Sequence, residues 1–348
     1  MERQMSFSEM EYANKSRTTR KEKFLSAMSE VMPWQRWCEI IQPFYFVKGN
    51  GREPTPLVTI LKMYMLTFWY NLSDEACEDA IYDTMSFKNF IGDHVPDATT
   101  LCKFRKMLET NKLHKKIFDQ EVETLKQNGL IREQGTIVDA TIISAPSSKK
   151  NKDRKPNPEF SSTFKGKESK FGMKSHIGID QDSGLVHSAV ATISKEADVV
   201  HATECLHGNE KIVRGDSGYL GIEKRPEICD KIQDGSGEMI LQGYNVNQKW
   251  EKQLIHKKKE GIEFVINKRP SQVKTYEEKL QETAKSKIRS KVEHIFLVLK
   301  HLFGFRKVRL RTLASNEERL YMYYSLVNIY KLSKMCYPQN RWSMRKSW

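Results

Sequence analysis

The hydrophobic periodicity of the chain changes near residue 131, and this change constrains the fold more than any other feature. Before it, apolar residues recur every three or four positions, as between Leu57 and Phe68, which is the period of an amphipathic helix. After it, residues 136–143 read TIVDATII, a β-branched run of strand length. The predicted parts are a polar arm (1–22), a helical domain (23–128), a second domain (131–335) and a basic tail (336–348).

The second domain is predicted to be α/β with a mixed sheet. Three strand-like runs follow one another closely and are typical of an antiparallel meander. Alternating helical and strand-like segments come next, and a parallel component of the sheet follows from that alternation. The meander strands are predicted at 136–143, 173–180 and 185–193, and the later strands at 211–214 and 264–266. Helices are predicted near 197–207, within the stretch before residue 264, and near 285–302 and 316–334.

The helical domain contains two clear helix starts, Ser73 and Asp97, because both side chains are good N-caps. Short helices joined by tight turns suit a helix-turn-helix-like unit that binds DNA. In that interpretation four polar residues of the second helix face the nucleic acid, namely Thr99, Thr100, Lys103 and Lys106. A plain helical bundle explains the same pattern equally well.

The net charge favours a polyanionic partner. Lys and Arg total 58 against 44 Asp and Glu, which gives a formal charge of +14, and neutralising phosphates releases counterions from nucleic acid. Residues 146–170 hold eight of the basic residues against three acids and read as a basic loop. Its candidate DNA contacts are Lys149, Lys150, Lys152 and Arg154. An ordinary basic protein is the alternative on charge alone.

Several classes of protein are disfavoured by what the chain contains. The longest apolar run, between Leu57 and Leu72, is interrupted by Lys62 and Asn71, which argues against a membrane span. The first 20 residues are polar and do not resemble a secretory signal. The six cysteines form no CxxC pair, which argues against structural zinc and a disulfide framework and favours the cytoplasm.

Three acids stand out as candidate site residues. Asp139 lies in the middle of an apolar strand, Asp216 follows a strand in the sequence Gly-Asp-Ser-Gly, and Glu293 lies on the predicted helix 285–302. Arg289, Glu293 and Lys300 fall within roughly 40° on that helix. The adjacent apolar stripe, which is predicted to be buried, is formed by Val292, Ile295, Phe296, Leu299 and Phe303. An ordinary surface pair between Arg289 and Glu293 is the alternative there. Clustered carboxylates bind Mg²⁺ or Mn²⁺, and two such ions catalyse phosphodiester transfer.

The sequence blocks around these acids resemble those of bacterial insertion-sequence transposases of the insertion-sequence-5 family. Further blocks in the helical domain agree, and the similarity extends over roughly residues 5–335. The catalytic-domain blocks are DATIISAPSS at Asp139, FGMKSHIGID at Phe171, LHGNE at Leu206, GDSGY at Gly215 and RSKVEHIF at Arg289. The helical-domain blocks include GNGR at Gly49, WYNLSD at Trp69 and PDATTL at Pro96.

The resemblance implies an RNase H-like catalytic domain whose DDE triad is Asp139, Asp216 and Glu293. It further implies two divalent ions (Mg²⁺ or Mn²⁺), cleavage at the element ends to give 3′-hydroxyls, and their transfer into target DNA. The helical domain would bind the terminal inverted repeats, and paired ends would require a homodimer or a higher oligomer. Arg289 and Lys300 match the family's positioning cations, whereas Ser286 stands where that family has Tyr.

Three rival functions remain at the level of sequence. A catalytically inactive, transposase-derived DNA-binding protein has no reason to keep all three acids. A structure-specific resolvase does not account for the match in the helical domain. An RNA-associated basic protein explains the charge but leaves the acids without a purpose.

Overall fold

A computed structural model of the chain describes residues 14–45, 53–147, 155–166, 168–225 and 263–336, with Met10, Tyr12 and the backbones of 239–242 and 253–256. The chain divides into two compact units. One unit consists of Met1–Ile117, Leu302–Gly304 and Ile329–Trp348, and the other of Phe118–His301 and Phe305–Asn328.

The first unit is built from helices that begin at side-chain caps. Ser73 Oγ accepts a hydrogen bond of 3.2 Å from Ala76 N, and Asp97 Oδ1 accepts one of 2.6 Å from Thr100 N, which confirms both predicted starts. A capping box at Thr19 begins the first helix, three residues before the predicted boundary. The helices are α1 (Arg20–Val31), α2 (Trp34–Ile41), α3 (Leu57–Trp69), α4 (Asp74–Asp83), α5 (Met85–Ile91), α6 (Ala98–Thr110) and α7 (Leu113–Gln127), the last of which continues into the second unit.

Helix α3 forms the centre of the first unit. Ten of its 13 residues are buried, so it is apolar on nearly all sides and needs neighbours around its whole circumference. Trp69 packs edge-on against Phe24 of α1 with ring centroids 5.4 Å apart. The Tyr64 hydroxyl lies 3.0 Å from Nε2 of the buried His114, and this contact satisfies a phenol that is otherwise costly to bury.

The strands of the second unit are β1 (Gly135–Ser144), β2 (Ser161–Lys165), β3 (Glu168–Asp180), β4 (Val186–Ile193), β5 (Ile212–Gly215), β6 (Met239–Gln242), β7 (Gln253–His256) and β8 (Glu263–Ile266). Strands β6 and β7 form a separate antiparallel pair, and the other six form a mixed sheet in the order β2-β3-β1-β5-β8, with β4 also paired to β3. The predicted meander is confirmed, because β3 runs antiparallel to both β1 and β4. Strand β5 runs parallel to β1 and to β8.

Apolar side chains cover the sheet. One cluster of buried residues includes Val138 of β1, Val213 of β5 and Tyr219. Three helices follow the last strand: α8 (Tyr276–Arg289), α9 (Lys291–Leu297) and α10 (Leu313–Cys336). Helix α10 is fixed to β4 by Asn328, whose side chain accepts from Val186 N and donates to Val186 O, both at 2.8 Å. Within the described part of the chain, no helix is both long and apolar enough to span a membrane.

The predicted helix near 197–207 is wrong. The segment forms two short 3₁₀ turns, Asp198–His201 and Thr203–Cys205. Side chains hold it in this shape: Lys174 donates to Glu196 O at 2.7 Å, and His201 contacts both Glu196 and Glu204. These tertiary contacts outweigh a weak helical propensity.

The prediction of a helix-rich stretch before residue 264 is also wrong where the chain is described. Residues 217–219 and 222–224 are 3₁₀ turns, and β6 pairs with β7. An apolar run of four residues does not distinguish a strand from a helix by periodicity. The basic loop likewise contains an unforeseen strand, β2, because β3 extends beyond the predicted boundary and supplies its partner.

The predicted helix 285–302 is interrupted. Helix α8 ends at Arg289, Ser290 forms the joint, and α9 passes into five π-helical residues, Val298–Leu302. The apolar stripe is nonetheless buried as expected, with Val292, Ile295 and Leu299 at 0% exposure. Residue spacing therefore identified the buried face but not the break.

Candidate active site

Asp139 and Asp216 are neighbours because of strand register. Thr136 pairs with Val213 and Ile137 pairs with Arg214 in the parallel ladder of β1 and β5. Continued by two residues, the same register sets Asp216 opposite Asp139. Paired strands lie about 4.8 Å apart, so both carboxylates emerge at one place, where β5 ends and β1 continues.

Asp139 is a buried acid with a strongly shifted pKa. Its side chain is 13% exposed. Burial, which disfavours the charged form, and the nearby Asp216 raise the pKa of Asp139 to about 7, while Arg289 opposes the rise. Asp198 adds a smaller contribution that raises it further. The raised pKa of Asp139 therefore reflects its burial first and the neighbouring acids second.

Asp216 is held at the end of β5 by a local turn. Its Oδ1 atom accepts a hydrogen bond of 2.8 Å from Gly218 N and caps the 3₁₀ turn Ser217–Tyr219. A Cβ atom on Gly218 would lie 2.9 Å from Asp216 Oδ1, so the glycine leaves room for this carboxylate in its present position. The Tyr219 ring packs beneath Gly215 and fills the core under the turn.

Arg289 connects two of the three predicted acids. Its Nη1 atom donates to Asp139 Oδ2 at 2.8 Å, and its Nη2 atom donates to Glu293 Oε1 at 3.3 Å. The Glu293 side chain is 63% exposed. The pair between Arg289 and Glu293, which was the alternative to a functional role for this helix, is therefore present, and the same guanidinium also contacts Asp139.

Lys300 takes a different position from the one expected of a free positioning cation. Its Nζ atom donates to Thr141 Oγ1 at 2.6 Å and to Ile142 O at 2.7 Å. Both acceptors belong to β1, two and three residues beyond Asp139. Lys300 thus attaches the segment after α9 to the strand that carries the first acid.

Ser286, the departure from the resembling family, contacts Asn267 at the end of β8. Asn267 Nδ2 donates to Ser286 Oγ at 3.2 Å and to Glu282 Oε2 at 2.9 Å. Its backbone N donates to Gly215 O at 3.1 Å. A serine at this position therefore helps to place α8 against the strand end that precedes Asp216.

Sequence reasoning missed Asp198, which belongs to the same region. Its Oδ1 atom lies 2.9 Å from Lys174 Nζ, and it acts electrostatically on Asp139. The predicted helix near 197–207 assigned no role to this residue. The available signal was an acid in the connection between β4 and β5.

The donor set suits a hard divalent cation. Asp139 and Asp216 offer oxygen ligands at one edge of the sheet, and the raised pKa of Asp139 shows that added positive charge would be favourable there. Among the residues that the structure describes, no three His, Cys, Asp or Glu side chains already converge on one point. Glu293 is drawn toward Arg289 instead.

The predicted DNA contacts in the first unit lie on one exposed side of α6. Thr99, Lys103 and Lys106 are exposed, and Thr100 is half-buried. The Thr99 hydroxyl is engaged in the helix cap, where it donates to Asp97 Oδ1 at 2.6 Å. The four basic residues predicted from the loop, Lys149, Lys150, Lys152 and Arg154, lie outside the described residues.

Comparison with known families covers both units. Residues 131–329 match the family described as Transposase DDE domain. Residues 13–107 match the family described as Transposase domain (DUF772). The first match covers more than half of the 348 residues and contains Asp139, Asp216, Arg289 and Glu293.

Proposed function

The chain belongs to the DDE transposase family, and we propose that it is the transposase of an insertion sequence of the insertion-sequence-5 type. It binds the terminal inverted repeats of its element, cleaves the DNA strand at the element end and transfers the 3′-hydroxyl into target DNA. The observation that carries this proposal is the proximity of Asp139 and Asp216 beyond the parallel ladder of β1 and β5, with Arg289 joining Asp139 to Glu293.

Asp139, Asp216 and Glu293 are the residues that would hold Mg²⁺ or Mn²⁺, two ions by analogy with the resembling family. Such an ion, when bound, supplies electrostatic stabilisation of the phosphodiester and of the attacking and leaving oxygens. Asp139 contributes in its ionised form, so cleavage requires its proton to leave. Asp216 is already oriented by the Gly218 amide and keeps its second oxygen for the site.

Arg289 and Lys300 are proposed to position phosphate. Arg289 offers a planar fork of donors that matches phosphate as well as carboxylate. Its present partners are two carboxylates. Lys300 fixes β1 and adds positive charge beside Thr141. No covalent protein–DNA intermediate is part of the mechanism, so no serine or tyrosine nucleophile is required.

The helical domain at residues 23–128 is proposed to bind the terminal repeats, with the arm at 1–22 and the basic loop around 149–155 as accessory DNA contacts. The RNase H-like catalytic domain spans 131–335, and the tail 336–348 adds positive charge. Two element ends must be brought together for transposition, so we propose a homodimer or a larger assembly on DNA in the bacterial cytoplasm.

The decisive experiment is cleavage of a duplex that carries one element end. Wild-type protein is expected to nick at the repeat boundary in Mg²⁺ or Mn²⁺, and Asp216→Ala is expected to abolish nicking. Asp182→Asn is the matched control, because its carboxylate belongs to a turn and lies 3.7 Å from Arg132. Full cleavage by Asp216→Ala would refute the assignment. Tight, salt-sensitive binding without cleavage in any variant, on single and paired ends, would instead support the inactive DNA-binding alternative.

The DNA-binding role of α6 has a separate test. A double change of Lys103 and Lys106 to Ala is expected to weaken binding of all duplexes and to reduce the slope of log K against log salt by about two. The control is Lys23→Ala, which changes an exposed lysine of α1. An unchanged slope would favour a plain helical bundle at this position.

A further inference from the structure

A fourth acid, Asp198, faces Asp216 from a different element. Asp198 begins the 3₁₀ turn that follows β4. Its Oδ2 atom lies 3.6 Å from the position that a Cβ atom would occupy on Gly218, and Asp216 Oδ1 lies 2.9 Å from the same position. Both carboxylates therefore approach the space that a side chain on Gly218 would occupy.

The other oxygen of Asp198, Oδ1, faces two side chains of β3. Lys174 Nζ lies 2.9 Å from Asp198 Oδ1 and donates to the backbone of the same turn at Glu196 O. His176, which is fully buried, presents its Nδ1 atom to Asp198 Oδ1 at 3.8 Å and uses Nε2 for Thr192. The ion pair with Lys174 is therefore on the Oδ1 side, and Oδ2 is the oxygen turned toward Gly218.

Buried polar groups around the acids lack partners. Within the described part of the chain, the hydroxyl of Tyr219 and the Nδ1 atom of His176 are buried and have no hydrogen bond. Burial raises the pKa of Tyr219 most, Cys205 adds to the rise, and Asp139, Asp198 and Asp216 each raise it further. The hydroxyl of Tyr219 therefore lies within the electrostatic influence of the same three carboxylates. Buried polar atoms of this kind call for a physical explanation, and a cation bound among the acids would offset the mutual repulsion of the carboxylates near this hydroxyl.

We propose that Asp198 is a fourth carboxylate of the active site, and that its Oδ2 oxygen joins Asp139 and Asp216 in binding the divalent cation. This inference rests on the proposed function. Oxygen-rich sites with several carboxylates suit Mg²⁺ and Mn²⁺, which bind some ligands directly and others through water. Lys174 and His176 are positioning residues, because they act on the cation only through Asp198.

The test is calorimetric titration of the full chain with Mn²⁺, together with thermal melting of the same samples. Asp198→Asn keeps the shape of the side chain and removes its charge, and we expect it to weaken Mn²⁺ binding by roughly 10- to 100-fold. Lys174→Met removes the ion pair with Asp198 without removing a carboxylate. We expect this variant to have a lower Tm and a smaller loss of Mn²⁺ affinity than Asp198→Asn. Asp182→Asn is the matched control and is expected to match wild type in Mn²⁺ affinity.

Two other outcomes would contradict the inference, and they separate its failure from failure of the proposed function. If Asp198 only anchors its turn, Asp198→Asn and Lys174→Met lower Tm equally and leave Mn²⁺ affinity at the wild-type value, while Asp216→Asn still loses binding. That result overturns the role of Asp198 and leaves the proposed function intact. If wild type neither binds Mn²⁺ nor nicks the element end, the proposed function and the inference both fall.

Discussion

Arg289 donates a hydrogen bond of 2.8 Å to Asp139 across 150 residues of sequence. A divalent cation bound by Asp139 competes with this guanidinium for the same oxygen atom. We therefore expect Arg289→Met to have two opposite effects on Mn²⁺ binding. Above about pH 8 the variant binds at least as tightly as wild type, because the competitor is gone. Below about pH 7 the variant binds Mn²⁺ more weakly, because the guanidinium that lowers the pKa of Asp139 is gone and more of this carboxyl is protonated.

Mn²⁺ titrations between pH 6.5 and 8.5 check this expectation. Lys291→Met is a suitable control, since Lys291 donates to backbone oxygens of Gln181 and Asp182 and not to a carboxylate. Parallel curves for Arg289→Met and wild type across this range would contradict a direct competition at Asp139.

Asp139→Asn is expected to stabilise the protein while it abolishes cleavage. The folded-state pKa of Asp139 is about 7, above the unfolded value of 3.8. Between these values the folded state holds the extra proton, so wild-type stability falls as pH rises through this window. The gain from Asn is therefore small near pH 4 and reaches on the order of 1–3 kcal/mol above pH 7.

Urea unfolding of both proteins at pH 4.5 and pH 8 measures this gain. The free energy of unfolding of the variant should exceed that of wild type by more at pH 8. A gap that shrinks as pH rises would show that ionised Asp139 is favourably solvated or paired in the fold, contrary to the raised pKa.

Gly218→Ala is expected to reduce cleavage by about 100-fold with little change in Tm, because catalysis is sensitive to displacements of about 1 Å. The new Cβ would lie 2.9 Å from Asp216 Oδ1 and displace that carboxylate. The turn itself is exposed at this position. Ser217→Ala, which only removes a hydroxyl from the adjacent residue, provides the comparison. Equal cleavage by the two variants would argue that the position of Asp216 tolerates such a shift.

Lys300→Met separates a structural role from a phosphate contact when compared with Thr141→Val. Both changes break the hydrogen bond between Lys300 and Thr141, which is expected to cost about 1 kcal/mol of stability. Lys300→Met also removes the bond to Ile142 O and is expected to cost more. Only Lys300→Met removes a positive charge, so only that variant should reduce the salt slope of DNA binding, by about one. An unchanged slope in both variants would restrict Lys300 to holding β1.

Sequence alone located the sheet and two of the acids because local patterns determine them. The β-branched run around Asp139 and the Gly-Asp-Ser-Gly sequence at Asp216 mark strand ends without knowledge of any partner. Periodicity also placed Val292 and Ile295 on a buried face. These features depend on residues that are neighbours in the sequence, so they can be predicted before the fold is known.

The missed features depend on distant partners. Strand β2 forms only because β3 is long enough to pair with it. Asp198 became part of the site through Lys174, which is 24 residues away. The joint at Ser290 and the bond from Lys300 to β1 likewise arise from packing of α9 on the sheet. No periodic pattern within one segment carries this information.

Because β1 and β5 are paired residue by residue, the number of residues in β5 decides which side of the sheet the Asp216 carboxylate faces. A fixed offset pairs Ile137 with Arg214, and the same offset, continued by two residues past this pair, sets the two aspartates opposite each other. Conservative side-chain changes within the ladder preserve this alignment, whereas loss of a single residue from β5 before Asp216 turns its carboxylate to the opposite side of the sheet. The centre is accordingly more vulnerable to one-codon deletions in β5 than to most missense changes in that strand.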